Sequence, residues 1–374
     1  MSRPASIGAD IDRVERVGGE LRAQELDALL VSAPVSLRYL LSFTGDHGIA
    51  LLAAEGSRGV GPHRFLTDFR YQTQAAAQLP ADIEREIVAG NLLEAAAASL
   101  PPAGGRLAFE EASLSYADHA RLRERLPPQW ELVPGAGMIE RLRAVKDAGE
   151  IERIREAARL ADEAMRGLLE AGLAHRTERE LALDLELRMR RLGAEAVSFP
   201  AIVAAGPHAA LPHAEPRAVE IPSDTLVTID WGAVLEGYCS DCTRTYATGE
   251  GISAEARELY ALVRSAQEAG LAAVRAGPAG REVDAVARAV IERAGQGEHF
   301  GHGLGHGVGL EVHEAPRLSR TAGEQPLLAG NVVTVEPGVY LPGRLGVRIE
   351  DLVVVTADGR QLLSSLPKEL TVAS

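Results

Sequence analysis

The sequence predicts two domains, a small α/β domain over residues 1–136 and an α+β domain over residues 137–374 built from two similar halves. Three observations carry that reading. The chain has 374 residues, enough for two sizeable cores. Its first third alternates strand-like apolar runs with helical patterns. Beyond Pro134–Gly137 the order is helices, strands, helices, strands, a repeat of architecture and not of letters.

In the first domain a helical pattern from Ile11 to Leu26 leads into the apolar run LDALLVSA, then into SLRYLLSFTG, GIALLAA and HRFLTDFRYQTQAAAQL. The alternation continues to WELVP, and Pro134-Gly135-Ala136-Gly137 marks the boundary. Asp147-Ala-Gly-Glu150 reads as a capping box, with Ile151, Ile154, Ala158, Ala161, Met165 and Leu168 at helical spacing behind it. Thr177-Glu-Arg-Glu180 opens a second helix that ends near Leu192. Strand-like segments follow near Ile202 and from Thr225 to Thr248. Helices from Ala254 to Arg275 and from Arg281 to Ala294 precede a glycine–histidine run and the last strands.

Composition narrows the function classes. The chain is 46% hydrophobic, 25% charged and 4% aromatic, ordinary for a globular protein. A formal net charge of −14 with no basic patch argues against a nucleic-acid partner. Two cysteines imply no disulfide framework. No stretch resembles a signal peptide or reaches the ~20 apolar residues of a membrane span, so a soluble cytoplasmic protein is expected.

The chemistry concentrates in the last third. Asp230 and Asp241 flank a turn in TIDWGAVLEGYCSDCTRTY, and Glu336 and Glu350 flank another in VTVEPGVYLPGRLGVRIED. If the first turn centres on Leu235–Glu236, Asp230 stands opposite Asp241; the second turn, around Pro342–Gly343, places Glu336 opposite Glu350. Like charges held opposite one another need a cation, and four carboxylates match the charge of two divalent ions. Four of the ten histidines, His299, His302, His306 and His313, alternate with glycines in the run between the hairpins. Cys239 and Cys242 form a Cys-x-x-Cys, but on a strand such positions face opposite sides, which speaks against a redox pair.

DWGAVLEGYCSDCTRT, GHGLGHGVGLEVHE, VEPGVY and RIED closely resemble the M24 "pita-bread" metallopeptidases, in particular the Xaa-Pro branch of aminopeptidase P and prolidase. FTGDHG and TDFRYQTQA resemble that branch's creatinase-like N-terminal domain. The resemblance implies a pita-bread catalytic domain with pseudo-twofold halves. It implies two divalent metal ions, manganese foremost with cobalt or zinc as alternatives, held by Asp230, Asp241, His306, Glu336 and Glu350 with Asp241 and Glu350 bridging. It further implies that His213 and His313 position substrate and stabilise the oxyanion, that His302 lines the pocket, and that Glu336 shuttles a proton to the leaving nitrogen. Arg348 and Tyr340 back the ligands, Arg348 serving catalysis and Tyr340 also counted with Arg317 as substrate-binding.

The implied substrates are peptides with proline second, and the implied assembly is a homodimer. Arg317 or Arg320 could bind the carboxylate of an Xaa-Pro dipeptide, whereas the arginine-free loop Phe43–Gly48 leans the reading slightly towards aminopeptidase P. Methionine aminopeptidase lacks such an N-terminal domain. A metal-free binding module or a creatinase-type hydrolase on the same scaffold would be missing ligands that are all present here.

Overall fold

The computed structural model describes residues 7–54 and 61–373, and the chain divides into two compact units between Leu142 and Arg143. That division falls downstream of the Pro134–Gly137 boundary expected from composition, because the helix Met138–Ala144 begins with the first unit and ends with the second.

The first unit is a six-stranded mixed sheet. Its strands are β1 (Ala28–Val31), β2 (Ile49–Ala53), β3 (Arg64–Thr67), β4 (Glu84–Ile87), β5 (Gly105–Phe109) and β6 (Trp130–Pro134), in the order β4-β3-β2-β1-β5-β6. Helices α1 (Ile7–Ala23), α2 (Pro34–Leu41), α3 (Gln72–Gln78), α4 (Leu92–Ala98) and α5 (Tyr116–Arg125) connect or precede them, and α6 (Met138–Ala144) follows. β1 is buried along its length, as the unbroken run ALLV demands of a central strand. β4, Glu-Arg-Glu-Ile at one edge, is exposed throughout, and its charges discourage edge-to-edge pairing. Leu30, Leu66, Leu107 and Phe109 form one core with Leu92, Leu93, Ala96 and Ala97 of α4.

The second unit holds the two halves. In the first, α7 (Ala148–Glu170) and α8 (Glu178–Arg191) both open on capping boxes, Asp147 with Glu150 and Thr177 with Glu180. Their apolar faces share a core with β8 (Ile202–Ala205), β9 (Leu226–Trp231) and β12 (Cys242–Ala247), which pair in the order β8-β9-β12. β7 (Ala196–Val197), β10 (Ala233–Leu235) and β11 (Tyr238–Cys239) form a small sheet at the hairpin tip. The second half repeats the plan. There α9 (Ala254–Ala273) and α10 (Gly280–Arg293) accompany strands β13 (Gly305–Gly307), β14 (Glu314–Leu318), β15 (Val332–Val335), β16 (Gly338–Leu341), β17 (Leu345–Arg348), β18 (Asp351–Val355) and β19 (Arg360–Leu362), and share a core with β14 to β18. Five of these pair in the order β14-β13-β15-β18-β19, and β16 pairs with β17.

The two hairpins differ in register from one another. Glu236 and Gly237 both have positive φ, so the first hairpin closes with a two-residue turn there, one residue later than a Leu235–Glu236 centre. Pairing therefore slides by two: Asp230 faces Thr243, not Asp241. A slide of two keeps every side chain on its face, so Asp241 remains on the side of Asp230. In the second hairpin, Val335 faces Asp351 and Gly338 faces Arg348, which sets Glu336 across from Glu350 where the ladder breaks at Pro337.

Candidate metal centre

Three ligand oxygens, one each from Asp230, Asp241 and Glu350, lie within 4.8 Å of one another. Asp230 comes from β9, Asp241 from the link between β11 and β12, and Glu350 from the link between β17 and β18. His306, in the middle of β13, brings Nε2 to 3.6 Å from an Asp241 oxygen and 3.3 Å from Glu336 Oε1. Its Nδ1 lies 3.1 Å from the Gly307 carbonyl, which fixes the ring and turns Nε2 towards the carboxylates. All five residues expected to bind metal thus converge on one place.

Three of the four carboxylates are held from behind. Thr243 donates its hydroxyl to Glu350 at 2.8 Å, and Thr334 donates to Glu336 at 3.0 Å. Arg348 donates to Asp230 at 2.7 Å and, through its other nitrogens, to Thr243 at 3.0 Å and the Tyr340 hydroxyl at 2.9 Å. Arg244, on the far face of β12, donates to the backbone carbonyl of Glu350 and at 2.7 Å to Asp351. Thr243 and Thr334 escaped the sequence reading, although each lies two residues from a ligand and so on its face.

Electrostatics separate the four carboxylates. Burial pushes the Asp241 carboxyl well above its ordinary range, and Glu350, Asp230 and Glu336 push it further. Burial, then Glu336 and Asp230, raises Glu350 in the same way. Asp230 is also raised by burial, against the pull of Arg348. Burial would raise Glu336 too, but the hydrogen bond and charge of His306 outweigh it and hold this carboxyl down at about 2. The donor set fits divalent cations on a further count: Asp230 Oδ1 is buried and accepts no hydrogen bond, an anionic oxygen left for a cation to satisfy.

The remaining expected residues fall into two groups. His313 packs edge-on against His306 with ring centroids 4.3 Å apart, and burial and the nearby charges of His306, Arg317 and His213 lower its pKa. Arg317 stands opposite His306 in the β13–β14 ladder and is exposed, and His213 is exposed on the loop after β8. All three are exposed, and the charges of Arg317 and His213 reach His313. His302 and Tyr340 are more buried and hydrogen-bonded to one another. The Tyr340 hydroxyl sits 2.9 Å from His302 Nε2, and His302 Nδ1 lies 2.8 Å from the Gly303 carbonyl. With Nδ1 donating, Nε2 accepts from Tyr340, which itself accepts from Arg348. That chain of hydrogen bonds engages both nitrogens of His302, so with Tyr340 it braces Arg348. Cys239 and Cys242 are buried in separate cores, one beside Ile154 and Val308 and the other beside Trp231.

Residues 152–357 match the Metallopeptidase family M24, and residues 13–145 match the Creatinase/Prolidase N-terminal domain. The chain belongs to metallopeptidase family M24. This M24 peptidase is similar over its whole length to solved structures. An Xaa-Pro dipeptidase from Bacillus anthracis is 38% identical with a TM-score of 0.90, over 97% of this chain and 99% of that one. An X-Pro aminopeptidase from Thermotoga maritima is 36% identical with a TM-score of 0.85, over 96% and 100%. The Xaa-Pro dipeptidase of Pyrococcus furiosus is 39% identical over 260 residues, 70% of this M24 peptidase and 74% of that relative. The two units are thus a creatinase-type N-terminal domain and a pita-bread catalytic domain. Among the described residues no helix is long and apolar enough to cross a membrane.

Proposed function

We propose that this M24 peptidase hydrolyses the Xaa-Pro bond of dipeptides with two divalent ions held by Asp230, Asp241, His306, Glu336 and Glu350. The ion pair supplies Lewis acidity, which makes a water nucleophilic at neutral pH and polarises the scissile carbonyl. Glu336, kept ionised beside His306, takes the proton of the attacking water and passes it to the proline nitrogen. His213 and His313 donate to the carbonyl oxygen as its charge grows. Four carboxylates with one imidazole suit manganese first, with cobalt and zinc behind it.

The observation that carries the dipeptide reading is Arg317. It is exposed and opposite His306, so its guanidinium projects from the face that holds the ligands, where the carboxylate of a substrate ending in proline would sit. The dipeptidases of Bacillus anthracis and Pyrococcus furiosus support this reading over the aminopeptidase P type that the Phe43–Gly48 loop favours. The Thermotoga maritima aminopeptidase keeps the second reading in play, since its likeness is nearly as high.

Rates on Ala-Pro and Ala-Pro-Ala, measured after chelation and re-addition of single metal ions, test both points. The dipeptide is expected to be the better substrate and Mn the best activator. Arg317→Met should raise KM for Ala-Pro by about tenfold to a hundredfold, the value of a charged hydrogen bond of roughly 1.5–3 kcal/mol, and leave Ala-Pro-Ala unchanged. Preference for the tripeptide would return the assignment to aminopeptidase P.

A further inference from the structure

We propose that Glu178 is a positioning residue for this reaction: its carboxylate clamps the loop of residues 205–217 and thereby sets where His213 stands. The proposal rests on the reading of His213 as a substrate contact.

Glu178 opens α8, a position where an acidic side chain is ordinarily solvated and faces the helix N-terminus. Here its side chain is only 1% exposed. Oε1 accepts from the Ala205 amide at 3.0 Å and from Arg217 Nη2 at 3.0 Å. Oε2 accepts from the Arg217 amide at 2.9 Å and from Arg217 Nε at 3.0 Å. His208 Nδ1 lies 3.0 Å from both oxygens, and because an ionised carboxylate only accepts, that nitrogen carries the proton. One carboxylate therefore holds Ala205 at the start of the loop, His208 within it and Arg217 at its end, four residues beyond His213.

The rest of the loop rests on the centre itself. Arg348, which holds Asp230, donates to the Pro212 carbonyl at 3.1 Å. The Ala209 carbonyl lies so close over Gly346 of β17 that a Cβ there would come within 1.9 Å of it. His213 follows Pro212 directly. Glu178 is thus a side-chain anchor of this loop away from the metal cluster, beside the Ala205–Val227 pairing and the Arg179 amide on the Arg217 carbonyl, and weakening it loosens the loop without touching the cluster. A misplacement on the order of 1 Å of a substrate-positioning group costs about a hundredfold in rate.

The test is a double-mutant cycle of Glu178→Gln and His213→Ala, read as kcat, KM, bound metal and thermal midpoint. Glu178→Gln keeps the shape but sets an NH2 against the donors of Ala205, His208 and Arg217. Its expected effect is a loss of about tenfold to a hundredfold, mainly in kcat, with bound metal unchanged. Combined with His213→Ala, it should cost no more than His213→Ala alone. Arg217→Ala, at a side chain 46% exposed, gives a milder release that keeps the fold and should show the same non-additivity in smaller measure. Glu180→Ala, which breaks the capping box of the same helix without touching the loop, should lower the thermal midpoint and leave kcat unchanged. Losses that multiply in the double mutant, or wild-type kcat in Glu178→Gln, overturn the proposal. If His213→Ala keeps full activity, the reading of His213 falls as well, and that result is seen in the single mutant alone.

Discussion

The two carboxylate hairpins of the catalytic unit do similar work with different backbones. In the first, Asp230 sits inside a regular ladder, paired on both sides through β8 and β12, while Asp241 lies off the strand. In the second, Glu336 and Glu350 both sit where the ladder breaks, opposite one another. The difference teaches how like charges are kept together. Neither hairpin neutralises its own pair; each is braced by the other. Thr243 of the first holds Glu350 of the second, and Arg348 of the second holds Asp230 of the first. The centre therefore forms only when both halves are folded and docked.

The largest break in this comparison comes from removing a ligand. Asp241→Asn or Glu350→Gln should abolish metal pairing and lower kcat/KM by ~10³ or more, because several kcal/mol of charge stabilisation are lost. Elemental analysis beside kinetics checks this, and a fully active, fully metallated Asp241→Asn protein would sink the ligand assignment. Both residues are also held up in pKa by burial and by their acidic neighbours, so metal loading should release protons, measurable in weakly buffered solution.

The next effect tests the braces one at a time. Thr243→Val removes the hydrogen bond to Glu350 and should weaken metal binding by about 10–100-fold. Arg348→Met should weaken it at least as much, since it strips a charged partner from Asp230 and also frees Thr243, Tyr340 and Pro212. Metal titration of the two variants ranks the braces. A larger loss in Thr243→Val would mean that the break-point carboxylates, and not the one in the ladder, limit assembly.

Much of this was legible in the sequence because the determining forces are local. The capping boxes at Asp147 and Thr177 announce α7 and α8, and the ligand motifs name the five residues that converge. What was not legible depends on a turn or on distant contacts. The first hairpin's register hinges on Glu236 accepting a left-handed conformation, which glutamate rarely does, so a reading by symmetry misses it by one residue. Glu178 looks like an ordinary acidic helix opener until Ala205, His208 and Arg217 are brought to it from later in the chain. The hydrogen bond between Tyr340 and His302 is likewise not legible in GHGLGH.

The smallest expected effect separates the two turns that set these registers. Glu236 has φ 48° and Gly343 has φ 71°, so the first hairpin bears a left-handed strain that the second avoids. Glu236→Asn should stabilise the protein by about 0.5–1 kcal/mol, and Gly343→Ala, where no atom obstructs the added methyl, should destabilise it by about 1 kcal/mol through backbone strain alone. In a unit of this size each is a shift of roughly 2–4 °C in Tm, readable in metal-loaded protein. Neither change alters which residues face one another, so kcat should stay at the wild-type value in both. The Arg153–Glu236 ion pair is solvent-exposed and worth little, so a destabilised Glu236→Asn protein would show that this pair, and not the turn, holds the first hairpin in register.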